Sequence, residues 1–216
     1  MGRVLRSAAS GLAVCLLVSG CGGGDEAEPE RVTAEQQCDG LLSPQAARAL
    51  ETVLETKRFW PAGSGGLDEV ASGLTEDHAK AERRPPSHPL CDPSPSGGGP
   101  HEVTLKFRLY KDDELLSDVR PYGLHPYDMG VEAHAGPERA YLFARCVSPR
   151  IKGSDSRDVR IEGKLTHAWS KLPDTVPVRE AHLTILHSAT LAVVRKLGCE
   201  GDAGLDAAPV FRPRGG

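Results

Sequence analysis

Apolar residues recur at helical spacing near both ends of this 216-residue chain and alternate strictly between them. That pattern predicts an α+β domain: an antiparallel sheet of about four strands, with N-terminal helices and a long C-terminal helix packed on one face. Four cysteines within the same span add two disulfides to the expectation. Hydrophobic residues make up 39% and charged residues 26%, so the chain has the material for one real core and not the composition of a disordered segment. The expected organisation is a leader over 1–20, a tether over 21–37, one α+β domain over 38–200 and a tail over 201–216.

The first helix is predicted over 43–58. Ser43 suits the N-cap and Pro44 the first helical position, where its missing N–H is harmless. Ala46, Ala47, Leu50, Val53 and Leu54 then form one face. "PAGSGG" ends it. A second helix is expected over 67–82, with Leu67, Val70, Ala71, Leu74, His78 and Ala81 in one stripe. Residues 85–100 hold six prolines and three consecutive glycines and are expected to lack regular structure.

Strands follow. In "EVTLKFRLY" (102–110) Val103, Leu105, Phe107 and Leu109 share a face and the charges share the other, the mark of a half-buried antiparallel strand. "KDDE" reads as a turn, and 115–120 as a short return strand. Residues 127–135 and 139–147 flank "GPE" as a hairpin, and 158–169 alternates again through Val159, Ile161 and Leu165. The last helix, over 178–197, spans about 30 Å at 1.5 Å per residue. Its stripe is Ala181, Ile185, Leu186, Ala189, Val193 and Leu197. Arg195 and Lys196 suit its negative end, and Gly198 its C-terminal cap.

The N-terminus bears on location. Arg3 and Arg6 precede a short apolar run over 8–18, too short to span a bilayer and right for a secretory signal. Cys21 follows "LVSG", with a small residue at −1 and a branched apolar one at −3, which resembles the bacterial lipobox; Cys15 follows Val14 and does not fit. The resemblance implies a diacylglycerol thioether on Cys21, and two or more acyl chains suffice for stable anchoring. "GGGDEAEPE" then serves as a flexible, acidic tether. Loss of Arg3 and Arg6 with the leader moves the formal net charge from −4 to −6, which gives no footprint for nucleic acid or an anionic membrane surface.

Setting Cys15 and Cys21 aside leaves Cys38, Cys91, Cys146 and Cys199, an even number in an exported domain. Metal binding through His88-x-x-Cys91 is the competing reading, and no C-x-x-C or H-x-x-x-H accompanies it. Topology chooses among the three connectivities. The final helix starts at the far end of the 158–169 strand and runs back, which brings Cys199 to Cys146. An antiparallel helix pair brings Cys91 to Cys38. The expected bonds are therefore Cys38–Cys91 and Cys146–Cys199.

Motifs for chemistry are absent: no G-x-S-x-G, S-x-x-K or H-E-x-x-H occurs, and "GSGG" lacks the strand and G-K-[ST] of a phosphate loop. His182 and His187, five apart, fall on different helix faces. His134 and Glu132 alternate with apolar residues and are expected on a solvated sheet face. In "GLHPYD", His125 and Asp128, with Tyr122 and Tyr127 nearby, read as an ordered loop or the rim of a polar site. No cofactor and no metal are expected.

"CDGLLSPQAARAL", "YLFARCVSPRI" and "LTILHSATLAVVRKLGCE", taken with the lipobox, resemble a group of uncharacterised lipoproteins from Streptomyces-type actinobacteria. The resemblance spans most of 1–205 and brings no catalytic or binding residues with it. The expected function is a lipid-anchored binding or accessory module on the extracytoplasmic membrane face, serving a small molecule, lipid or protein. Its sharper form places a lipid-like ligand between sheet and long helix. The alternatives are an envelope protein–protein interaction module and an envelope hydrolase.

Overall fold

A computed structural model describes residues 30–63, 65–81, 84–98, 102–116 and 121–214, so the leader, Cys21 and most of the tether lie outside the described residues. The elements are α1 (Pro44–Val53), β1 (Phe59–Trp60), α2 (Gly66–Lys80), β2 (His88–Cys91), β3 (Ser94–Pro95), β4 (Glu102–Leu109), β5 (His125–Tyr127), β6 (Glu132–Ala135), β7 (Arg139–Cys146), β8 (Val159–Ala168) and α3 (Val176–Leu197). The fold is α+β. Its main sheet is antiparallel, with strand order β2-β4-β8-β7-β6-β5, and β1 pairs separately with β3.

The sheet has six strands where about four were expected, for two local reasons. The Pro-rich 85–100 stretch does contain β2 and β3, because β2 lies at the sheet edge, where proline is tolerated, and a register shift between Pro89 and Cys91 absorbs the irregularity. The single strand expected over 127–135 is two, β5 and β6, broken at Gly130, whose φ of +61° turns the chain against the Phe143 carbonyl. The expected return strand at 115–120 falls mostly outside the described residues, since 117–120 are not among them.

Alternation along β4, β8 and β7 sends Leu105, Phe107, Leu142, Ile161 and Leu165 to one face, all fully buried. α3 covers that face. Gly163, at the centre of β8, has no room for a Cβ between Phe107, Leu186 and Thr190, so glycine lets the helix lie close. The sheet face and α3 meet through fully buried side chains, among them Leu105, Phe107, Ile161, Leu165, Leu186 and Ala189. α1 packs mainly on α3 and α2 on β2, α3 and β4, and α3 is consequently buried over most of its circumference from His182 to Val194.

The disulfides join Cys38 to Cys91 and Cys146 to Cys199, each with a sequence separation of 53. The second bond forms as expected, at the sheet end to which α3 returns. The first has a different cause: Cys38 meets Cys91 because the N-terminal segment lies beside β2, not because α1 and α2 form a pair. Each closed loop contributes about 4 kcal/mol in the chain-entropy description. The segment after α3 packs back, with Leu205 buried and Pro213 bridged to Tyr127. Among the described residues no helix is long and apolar enough to cross a membrane.

Candidate functional site

Among the described residues no α-helix covers the opposite face of the sheet. The same alternation that buries Leu105 and Leu165 places Thr104, Lys106 and Arg108 of β4, Glu162, Lys164 and Thr166 of β8, and Arg139, Tyr141 and Phe143 of β7 on it. With Glu114, Leu116, Pro121 and Leu124 of the β4–β5 connection they line an open hollow of about 680 Å³.

Register sets which charges meet. Going across the strands, Thr104, Thr166 and Arg139 form one row, Lys106, Lys164 and Tyr141 the next, then Arg108, Glu162 and Phe143. Arg160 and Arg145 form the last. At that last end every arginine is matched. Arg108 clasps Glu162 with both guanidinium arms, Nε–Oε1 being 3.1 Å, and reaches Glu114 at 3.2 Å. Arg160 and Arg145 share Asp112, at 2.7 and 3.1 Å, and Asp158, at 3.3 and 3.5 Å. Burial raises the Glu162 carboxyl pKa more than Arg108 lowers it.

At the other end the cations are unmatched. Lys106 and Lys164 stand directly opposite each other, and like charges so placed are destabilising. Among the described residues neither they nor Arg139 forms a salt bridge; Lys164 lies 5.5 Å from the centroid of the Tyr141 ring. Beyond them, Trp169 is 73% exposed and holds a left-handed φ of +57°, a costly conformation for a bulky residue. It shares a second hollow of about 450 Å³ with Glu138, Arg139, Lys164, Thr166, His167 and Ala168. Tyr122, fully exposed, stands on the loop whose Pro121 and Leu124 line the first hollow.

A buried histidine pair supports this end from behind. The Gly136 carbonyl accepts from His182 Nδ1–H at 2.9 Å, so His182 Nε2 accepts in turn from His167 Nδ1–H at 3.1 Å. These bonds tie α3 and the end of β8 to the β6–β7 turn that leads into Arg139. Gly136 itself packs so tightly on the Gly123 carbonyl that no Cβ would fit, which seats the 121–124 loop.

The residues picked out by sequence do not gather here. His125 pairs with Asp174 at 3.0 Å and Asp128 with Arg214, so the "GLHPYD" residues point to separate partners. His134 and Glu132 are each 2% exposed, against the expected solvated face. The reason is that the β4–β5 connection crosses β6, where the Leu116 N–H donates to the Glu132 carboxylate. His88 pairs with Asp77 at 2.8 Å, and among the described residues no three His, Cys, Asp or Glu side chains are grouped to hold a metal. The hollow's lining has no histidine, and its carboxylates, Glu114 and Glu162, are both bound to Arg108. Lys106, Lys164, Arg139 and Trp169 were missed. Alternation signalled which strand faces are polar, but only the register shows which charges lack partners.

Comparison with known proteins finds no match among family models, curated proteins or solved structures.

Proposed function

We propose that this chain is a lipid-anchored, extracytoplasmic binding module whose second sheet face takes an anionic ligand. The anchor rests on the lipobox at Cys21 and on the likeness to uncharacterised actinobacterial lipoproteins. Two disulfides fit an oxidising compartment. The observation that carries the binding reading is the facing pair Lys106 and Lys164, with Arg139 beside it, without a salt bridge among the described residues in a hollow whose other end locks Arg108 to Glu114 and Glu162. A sheet that tolerates such repulsion gains when an anion is bound. The hydrolase alternative finds no histidine among the described residues lining the larger hollow, where Glu114 and Glu162 are bound to Arg108, and the protein-interaction alternative survives as the case in which the anion is an acidic peptide.

Two experiments test the two halves. Cys21→Ser releases the protein from the membrane fraction and abolishes fatty-acid labelling; unchanged fractionation and labelling contradict the anchor. Titration of the full lipidated chain in non-ionic detergent with hexagalacturonate and with poly-L-glutamate tests the face. Binding of at least one, salt-sensitive and lost in Lys106→Gln/Lys164→Gln, supports the reading. Binding of neither contradicts it.

A further inference from the structure

Resting on that reading, we infer that the anionic ligand is an acidic saccharide chain, its rings stacked on Trp169 and its acidic groups held by Arg139, Lys164 and Lys106.

Charge alone does not select a sugar, and Trp169 does. An indole left 73% exposed in a left-handed backbone conformation loses both burial and backbone comfort, and such strain persists where a function uses it. Its neighbours in the 450 Å³ hollow include Arg139, Lys164 and Thr166 together with one acid, Glu138, which forms no salt bridge with either cation among the described residues, so an apolar plate and the two cations border the same space. A pyranose ring answers that combination: its C–H face lies on an aromatic ring while its edge carries hydroxyl and acidic groups. The edge has partners in the row structure, since the Thr104 and Thr166 hydroxyls face each other next to the lysine pair. Tyr141, in the lysine row, and Tyr122, on the rim, offer further aromatic surface.

The hollow is also open and lined by residues of three strands, from Arg139 on β7 to Lys106 on β4. That suits a chain passing over the face better than a small ion enclosed in it. An acidic peptide matches the cations and leaves Trp169 without a role. Single-stranded nucleic acid would use both aromatic rings and cations, but three unmatched cations in a domain of net negative charge are few for a phosphate at every residue.

Carboxylates and phosphates are equivalent in this argument, so hexagalacturonate and a phosphomannan oligosaccharide are both used, beside neutral maltohexaose, poly-L-glutamate and oligo-dT. The protein is the full lipidated chain in detergent carrying Trp60→Phe, which leaves Trp169 as the sole tryptophan and emission reporter. Binding of either acidic sugar, with a blue shift of Trp169 emission, is expected. Trp169→Ala, followed by calorimetry, weakens it by about tenfold or more, as for an aromatic anchor, and Lys106→Gln/Lys164→Gln by at least as much. Maltohexaose binds weakly or not at all. Poly-L-glutamate binding indifferent to Trp169→Ala, with no acidic sugar bound, overturns the saccharide and leaves the anion reading intact. Oligo-dT binding tighter than either sugar overturns it in favour of nucleic acid. No binding by any anion overturns both.

Discussion

Arg108, Arg145 and Arg160 at one end of the second sheet face are locked to Asp112, Glu114, Asp158 and Glu162, while two residues along the same strands Lys106 and Lys164 face each other with Arg139 nearby, and among the described residues none of the three forms a salt bridge. The strands, the exposure and the residue types are alike. What differs is charge matching. At the matched end the side chains hold one another in place, and the carboxylate with the least water, Glu162, is the one gripped by two guanidinium hydrogen bonds. At the unmatched end the fold keeps charges and an indole that its own stability would not select. The matched end is structure; the unmatched end is available.

The largest effect is expected from breaking the matched end. Arg108→Met leaves Glu162 buried without its partner and lowers stability by about 3–5 kcal/mol, the range for half of a buried ion pair. Adding Glu162→Gln restores most of the loss. Urea unfolding checks both, and a loss under about 1 kcal/mol would mean that the clasp does not hold this end together.

Acid distinguishes the ends next. Burial lowers the pKa values of His134, His182 and His187 below the usual 6.5. The unfolded chain therefore binds protons first, and stability, full above about pH 6.5, falls as pH drops below it. Each histidine contributes about 1.4 kcal/mol per pH unit until its native value is reached. Because His182 anchors the Gly136 turn, amide exchange should quicken around 136–139 and 166–169 before it does around 108–112. Uniform acceleration along the sheet would remove the histidine pair from the support of the unmatched end.

Smaller changes should stabilise. Trp169→Gly relieves the left-handed backbone and gains about 1 kcal/mol, less whatever the indole still contributes by contact. Lys164→Thr removes the facing charge and gains about 0.2–1 kcal/mol at low salt, an advantage that shrinks as salt is added. A loss of stability in either variant would mean that the residue is held for the fold rather than for a ligand.

Legibility in the sequence followed the same division. Periodicity located α1, α2, α3, β4, β7 and β8, because each buries one clear face. The Cys146–Cys199 bond followed from the direction in which α3 must run. β2 escaped notice because its prolines are tolerated only by virtue of an edge position that a single sequence does not reveal. His134 looked solvated because its alternation is correct, while the cover over it comes from the distant Leu116 segment. The candidate site was half visible. Alternation put Lys106 and Lys164 on polar faces, whereas their opposition is a property of strand order and register. Trp169 carried no local signal, since its meaning lies in an exposure and a backbone angle.

The central claim is that the unmatched end is kept for an anion at some expense of stability. Urea unfolding of the full chain and of its Lys106→Thr/Lys164→Thr variant, alone and with hexagalacturonate or poly-L-glutamate in separate runs, tests it most directly. The account predicts a variant at least as stable as its parent without polyanion, and a polyanion that raises the midpoint of the parent alone. A variant less stable by more than about 1 kcal/mol, or no polyanion able to raise the parent's midpoint while leaving the variant's unchanged, would contradict it.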